Sequence, residues 1–578
     1  MKKVMFLAII LLSLTTIACT SDDEAAEQTS YDTNSTADGS GSLAVNSSDL
    51  SSFTISIDKT TAEPTTSAEA FYPEAEDNLD DSSNSGDFDT EVAIDVANPT
   101  TGTVGGVEIT ANNGTIVCNH GSNKVCYVLS GTTASGSVTI MGEKKCEVKL
   151  NGVNITSPDS AALNILCKKR AFVYVADGTD NTLTDTSSDN DHKGALYAKG
   201  KLLFHGKGTL NVYGRHNNAI HSADYIIFNK GNNIYANSTA NHGVKANDGI
   251  FINGGILNVE VSAAAAKGIN CEDSIIVRGG RTTVLTTGNG TYDSTEADAK
   301  GSAGIKSDTN VVLHDGEVRL KSSGSGGKGV NADGTVTVNG GSLYVITTGS
   351  QYKYGSQTSS PKGVKSDSDL TINGGTVKVR TSGSNGEGIE SKSQLTISGG
   401  TVQVAAYDDG INAAGNLYVK GGSIVCVGNN SDGIDTNQNM YISGGNLVAI
   451  GSNGAESGID VGENYRLYVT GGSFFGIGGR IDCSIGSTTQ GICSTSGSVT
   501  ANSTVAISKD GTTLATFIMP PYAYSNGSIM TSAAGMNSNN DYTITLGSSS
   551  VTATASTSVS SGMGGGGAPG GMGGGGRR

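Results

Sequence analysis

The stretch "KGVKSDSDLTINGGTVKV", residues 362–379, contains one unit of the fold. Val364 and Ser366, then Leu370 and Ile372, then Val377 and Val379 alternate with residues that suit solvent, the period of a strand with one inward face. Breaks at "DSD" and at Gly374-Gly375 cut the run into three short strands. The unit then repeats. Its Gly-Ile or Gly-Val corner returns at Gly243, Gly268, Gly304, Gly329, Gly363, Gly388, Gly410, Gly433 and Gly458, with an alanine form at Ala195 and Ala219. Intervals are 22 to 25 residues, apart from two long ones of 36 and 34. Three strands per unit at that period predict an all-β chain: a single-stranded, right-handed parallel β-helix (β-solenoid) with N- and C-terminal β caps. Leucine-rich repeats share the period, but neither their Leu-x-x-Leu-x-Leu pattern nor a helical segment is present.

Outside the repeats the composition divides the chain. Residues 1–19 read as a lipoprotein-type signal peptide: Lys2 and Lys3, an apolar core from Val4 to Ile17, then Cys19, the residue such signals lipidate. That core is too short to span a membrane. Residues 20–103 read as an acidic, Ser/Thr-rich, largely disordered tether with a candidate strand at 53–58. Between 20 and 100 stand 19 Asp and Glu against Lys59 alone, so the net charge of −17 belongs to the tether and the body is close to neutral. Residues 104–160 read as an N-terminal cap and first layers, and 161–500 as about eleven coils with long loops at 286–303 and 347–362. A C-terminal β cap follows at 501–556, then a Gly-rich tail at 557–578. The expected location is outside the cell, as a secreted outer-membrane or cell-surface lipoprotein that meets the membrane only through its lipid. No basic tract or nucleic-acid motif is present, which argues against a nucleic-acid partner.

Eight cysteines follow Cys19. Cys118 with Cys126 is a candidate hairpin closure, and Cys483 with Cys493 a candidate loop closure. Cys146 and Cys167, 21 residues apart, suit adjacent layers. Cys271 and Cys426 lie too many coils apart to bridge and read as buried thiols.

The runs "KVCYVLSGTTASGSVTI", "KLNGVNITSPDSAALNI", "VADGTDNTLTDTSSD" and "KGALYAKGKLLFHGKGTLNVYG", followed by repeated Gly-[Ile/Val]-x-[Ala/Ser] and "LTINGG", resemble bacterial secreted carbohydrate-binding β-helix proteins related in shape to polysaccharide lyases. The resemblance covers roughly residues 104 to 475. It implies an association with calcium and a polysaccharide partner, acidic sugars included.

Stacking in register turns equivalent residues into ladders. Before the corner glycine the ladder runs Lys267, Ala303, Lys328, Lys362, Glu387, Asp409, Asp432; two residues after it, Lys306, Asn331, Lys365, Glu390, Asn412, Asp435, Asp460. Both change from basic to acidic at the same turn. Carboxylates one strand spacing apart repel unless a cation lies between them, so calcium is the expected cofactor, with Asp408, Asp409, Asp432, Asp435, Asp460 and Asn412 as candidate ligands. Glu387 and Glu390 are expected to face Lys362 and Lys365 instead. A plain solvated acidic edge is the alternative.

The third ladder, outward from "LTI", passes from Leu203, Ile227, Phe251, Ile276 and Val312 to Tyr418, Tyr441 and Tyr468. The apolar half calls for a cover, by the N-terminal segment or another chain. The tyrosines are a candidate strip on which sugar faces pack, or a stack that only steadies the last coils. Tyr292, Tyr352 and Tyr354, on the two long loops, are placed to meet over the basic edge.

The function expected from these features is non-catalytic polysaccharide binding, with Tyr418, Tyr441, Tyr468, Lys328, Lys362, Lys365, Tyr352 and Tyr354 as binding residues. The first alternative is a calcium-dependent lyase of β-elimination type, with Lys362 or Lys365 as base. The second is a structural surface rod or adhesin with no site.

Overall fold

The computed structural model describes residues 42–43, 50, 53–71, 88–167, 169–186 and 191–558. No helix occurs among them, and the strands wind into a parallel β-solenoid of about 15 turns. Residues 362–381 are one turn: a corner strand Lys362–Ser366, a middle strand Leu370–Ile372 and a long strand Thr376–Thr381. Each pairs in parallel with its equivalents one turn before and after, so Val364 stands between Val330 and Ile389, and Leu370 between Val336 and Leu395. The inward side chains expected from alternation are buried and merge into one continuous core from Val92 to Met530.

The polar member of the corner strand is buried too, and it is satisfied. Ser366 Oγ donates to Gly334 O at 2.8 Å, Ser391 Oγ to Ser368 O at 2.8 Å and Thr436 Oγ1 to Gly415 O at 2.8 Å. Each hydroxyl ties its corner to the turn before, which is why a small hydroxyl recurs at an inward position. Gly363 has a steric reason: a Cβ there would lie 2.2 Å from Val379 Cγ1 and 2.5 Å from the Gly388 carbonyl. Gly375 has a conformational one, φ +76° at the bend into the long strand.

The solenoid starts earlier than the glycine motif. Thr90–Asp95, inside the stretch read as tether, pairs in parallel with Val125–Thr133, and the corner ladder already runs through Thr115–Asn119, Ser137–Met141 and Leu163–Ile165. These turns escape a Gly-Ile search because Ser137 and Ala162 occupy the position that glycine holds later. These are the layers expected at 104–160, and with the further corner strand Arg480–Asp482 they add to the eleven glycine or alanine corners.

At the far end, Tyr524–Ser532 pairs antiparallel with Phe474–Gly478 and with Cys493–Val499, closing the last edge. Thr504–Lys509, Thr512–Ile518, Asp541–Leu546 and Ser549–Thr554 form a further antiparallel sheet. The cap thus begins before residue 501. It also covers a side: Val425, Val427, Val448, Ile450, Phe475 and Ile477, outward on the last long strands, share a second core with Phe517 and Tyr542.

Residues 53–71 form no strand, yet they lie along the solenoid. Phe53 sits against Lys378 and Arg380, Ile55 is buried, and Lys59 Nζ lies 3.6 Å over the Tyr235 ring. The Glu63 carboxylate accepts from Gly231 N and Gly255 N. Phe71 packs on Phe251 with ring centroids 5.2 Å apart, and Phe88 on Phe172 at 6.0 Å. This strap covers the apolar half of the third ladder, so it is no free tether. The signal peptide, Cys19 and the Gly-rich tail lie outside the described residues.

None of the eight described cysteines is in a disulfide. Cys118 faces the core while the Cys126 thiol meets the Glu147 carboxylate; Cys483 Sγ lies 3.6 Å from Met530 Sδ, and Cys493 Sγ 3.5 Å from Ala553 O. Neither proposed closure is made. Cys271 and Cys426 are buried, as expected, and burial pushes the Cys271 thiol up to about 12.

Candidate functional site

The two charged ladders meet at the turns of Lys362 and Glu387, in register one turn apart. Lys362 Nζ lies 2.7 Å from Glu387 Oε2 and 3.2 Å from Glu390 Oε1. Glu390, 1% exposed, is also paired with Lys392. Burial works to raise the Glu390 carboxyl, but Lys362 and Lys392 outweigh it and hold it below the usual range. Glu387, with one lysine partner, is carried up to about 7 by burial. Lys365 departs from the expected pairing: it binds Asp367 of its own turn, and Glu390 is left to Lys362 and Lys392.

On the basic side the lysines turn inward under two hairpins. The insertions form Thr291–Asp293 with Asp298–Lys300, and Tyr352–Tyr354 with Gln357–Ser359, and they touch one another. Lys267 Nζ donates to Ala265 O and Gly301 O at 2.5 and 2.6 Å; Lys328 Nζ donates to Ser359 Oγ at 2.8 Å and Gly326 O at 3.3 Å. Burial, and then neighbouring lysines, push them down to about 8 and about 7. Lys328, Lys362 and Lys365, expected to meet sugar carboxylates, are therefore committed to groups of the protein itself.

On the acidic side the carboxylates bind the backbone of the next turn. Asp409 Oδ1 accepts from Asp432 N at 3.1 Å, and Asp432 Oδ1 from Ser457 N at 2.5 Å. Asn412 Nδ2 donates to Asp409 Oδ2 at 3.1 Å and reaches Asp435 Oδ2 at 3.5 Å. Burial first, and neighbouring carboxylates second, raise Asp432 to about 8 and Asp435 to about 7. Asp460 rises to about 6, with burial again the main cause and Asp482 the largest charge. Asp408 is half-buried beside Asp409. The donors suit a hard cation in kind, and their crowding calls for a positive charge. Yet no three His, Cys, Asp or Glu side chains among the described residues are grouped to hold one metal ion. What does converge is Asp409 and Asp435 about Asn412.

The tyrosine column differs from a sugar platform. Tyr418, Tyr441 and Tyr468 are half-buried, with centroids 4.9 Å apart at each step and planes within 7° and 9°. At one strand spacing, rings are too broad to lie flat side by side, so they turn face to face. Gly486 closes against the Tyr468 ring: a Cβ there would come within 2.3 Å of it. The column presents ring edges and hydroxyls, with the faces of Tyr441 spent on its neighbours.

The hairpin tyrosines differ in this respect. Tyr292 and Tyr354 stack at 4.2 Å and 18°, and Tyr354 remains 54% exposed. Tyr352 is tucked against Gly290. Lys353, exposed, stands between Tyr352 and Tyr354.

For β-elimination a base must be neutral. Glu387 and Glu390 raise the Lys362 amine in spite of burial, which works against that role, and Lys365 is ion-paired with Asp367. Sequence reasoning missed Lys392 and the basic strip of Lys378 and Arg380, whose only signal was their outward place on the long strand beneath Phe53.

The sequence matches the family model of carbohydrate-binding domain-containing proteins over residues 111–274, 236–410 and 382–568. A carbohydrate-binding domain-containing protein of Acetivibrio thermocellus is 31% identical over 115 residues, 18% of this chain and 40% of that protein. The match thus spans two fifths of that relative's length. A solved structure of the polysaccharide lyase-like protein from C. thermocellum, a gadolinium derivative, is 25% identical, covers 43% of this chain and 96% of its own, and aligns with a TM-score of 0.35.

Proposed function

The chain belongs to the family of carbohydrate-binding domain-containing proteins, and from that premise we propose that it is a non-catalytic module holding a polysaccharide against the rim made by its two hairpins. The observation that carries the reading is Tyr354: one face is backed by Tyr292, and more than half of the side chain is open. A ring held this way offers a sugar an apolar face at little entropic cost. Lys353 beside it supplies a cation for a uronate carboxylate, the role earlier expected of Lys328, Lys362 and Lys365.

Calcium, in this reading, serves the scaffold. When bound it would supply the positive charge that Asp409, Asp432, Asp435 and Asp460 lack, with Asn412 and Asp408 as further oxygen donors. The raised carboxyls of Asp432, Asp435 and Asp460 support this. Lipidation at Cys19 would place the module on the cell surface.

Affinity electrophoresis of the whole protein in neutral and uronate polysaccharides, with calcium and with EGTA, tests the reading. Retardation that disappears in Tyr354→Ala is expected. Unsaturated product absorbing in the ultraviolet from a uronan would establish the lyase instead. No retardation in any polysaccharide would leave a structural rod.

A further inference from the structure

We propose that Cys146 and Cys167 are a cross-linking pair, joined as a disulfide when the chain folds in the presence of a small-molecule or protein disulfide. Cys146 opens the strand Cys146–Ser157, and Cys167 follows the corner strand Leu163–Ile165, so the two stand at the start and end of one turn. Their sulfurs are 3.6 Å apart and both residues are buried. From that contact, small side-chain rotations reach the S–S bond length of about 2.05 Å. Five of the other six described cysteines meet different groups: Glu147 for Cys126, the Asp273 amide for Cys271, the Val448 carbonyl for Cys426, Met530 for Cys483 and the Ala553 carbonyl for Cys493.

The surroundings differentiate the two sulfurs. Cys146 donates its S–H toward Cys167, and His120 Nε2 lies 3.9 Å from Cys167 Sγ, with its Nδ1 3.0 Å from Tyr127 Oη. These groups bring the Cys167 thiol down to about 6, while Cys146 is driven up by its partner and by burial. Before these turns close neither environment exists, so either thiol opens the exchange as its thiolate, and the balance is the same with Cys167 first. The Cys167 sulfur forms a bond to one sulfur of the oxidant R–S–S–R while the oxidant's own S–S bond breaks, and the departing R–S⁻ takes up the proton Cys167 gave away. Cys146, deprotonated in turn, attacks the Cys167 sulfur of the mixed disulfide and displaces the second R–S⁻, which takes the Cys146 proton. Two protein thiols are oxidised and one external disulfide is reduced to two thiols. Because both sulfurs are sealed in the finished fold, the exchange belongs to the stage before these turns close.

The cross-link ties one complete turn to itself near the N-terminal end of the stack, where a solenoid is open to fraying. It is independent of what the surface binds. The test is to refold the whole chain with glutathione disulfide, alkylate in denaturant and digest with trypsin without reduction. Cleavage after Lys145, Lys149 and Lys168 leaves Cys146 and Cys167 on different peptides, 146–149 and 150–168. The expected product is these two joined, two hydrogens lighter than the separate pair, with Cys271 and Cys426 alkylated. Full alkylation of Cys146 and Cys167, or linkage of either to another cysteine, overturns the proposal. In parallel, reductant is expected to lower the melting temperature of the oxidised wild type by a few degrees and to leave Cys146→Ser unchanged. If that variant does not fold, the peptide map on the wild type decides alone.

Discussion

Two groups of tyrosines project from this solenoid, and they are spent differently. Tyr418, Tyr441 and Tyr468 stand on consecutive turns, where the strand spacing forces each ring onto the next. Tyr292 and Tyr354 stand on hairpins that leave the coil, pair once and stop, so Tyr354 keeps open surface. The same residue type serves as internal bracing in one place and as an exposed platform in the other. Regular stacking closes aromatic faces, and insertions release them.

The scaffold between the two groups offers the largest way to disturb both. Lys362 ends the second hairpin region and begins the carboxylate-rich turns. Lys362→Met leaves Glu387 and Glu390 buried without their shared cation, and is expected to cost about 3–5 kcal/mol in urea unfolding. Adding Glu387→Gln and Glu390→Gln should restore most of it; no restoration would mean that the methionine itself does not fit.

The acidic turns beneath the tyrosine column give a pH signature. A carboxyl raised in the folded state holds its proton more tightly there than in the unfolded chain, so its contribution is present at low pH and is lost as pH rises. With Asp460 at about 6, Asp435 at about 7 and Asp432 at about 8, the calcium-free protein should lose stability from about pH 4 to about pH 8. Asp432→Asn keeps an oxygen for Ser457 N, and is expected to add about 1–2 kcal/mol at pH 8 and nothing at pH 4. Thermal melts across that range check both. A melting temperature rising from pH 4 to 8 without calcium would contradict the carboxyl account.

The braced rings give an effect of similar size, on stability alone. Tyr441→Ala removes two stacking partners and should cost about 1–2 kcal/mol in stability, with polysaccharide affinity unchanged. Weakened binding would transfer the site to the column.

How far the sequence carries depends on what each inference requires. Alternation and period are properties of the backbone, so "KGVKSDSDLTINGGTVKV" was enough for the strands, the corners and the inward residues. The ladders were legible for the same reason: register follows from stacking, and Lys362 does face Glu387. What side chains do within a ladder was not legible. Lys365 reaches sideways to Asp367 rather than along the stack, a choice of rotamer. Lys328 was read as surface because nothing in its own strand announces the hairpin that folds over it. The first layers are legible as strands but not as glycine corners, because Ser137 and Ala162 do the work of glycine, and a cover for the apolar ladder is legible but not its course, because an acidic, polar stretch hides Ile55, Phe71 and Phe88, the few apolar residues that hold it down.

The measurement that tests the account most directly is the affinity of whole protein, Tyr354→Ala and Tyr441→Ala for one retained polysaccharide, compared side by side by affinity electrophoresis. The account predicts at least a tenfold loss for Tyr354→Ala, about 1.4 kcal/mol or more, with Tyr441→Ala binding as the unaltered protein does. Equal binding by Tyr354→Ala and the unaltered protein would contradict it.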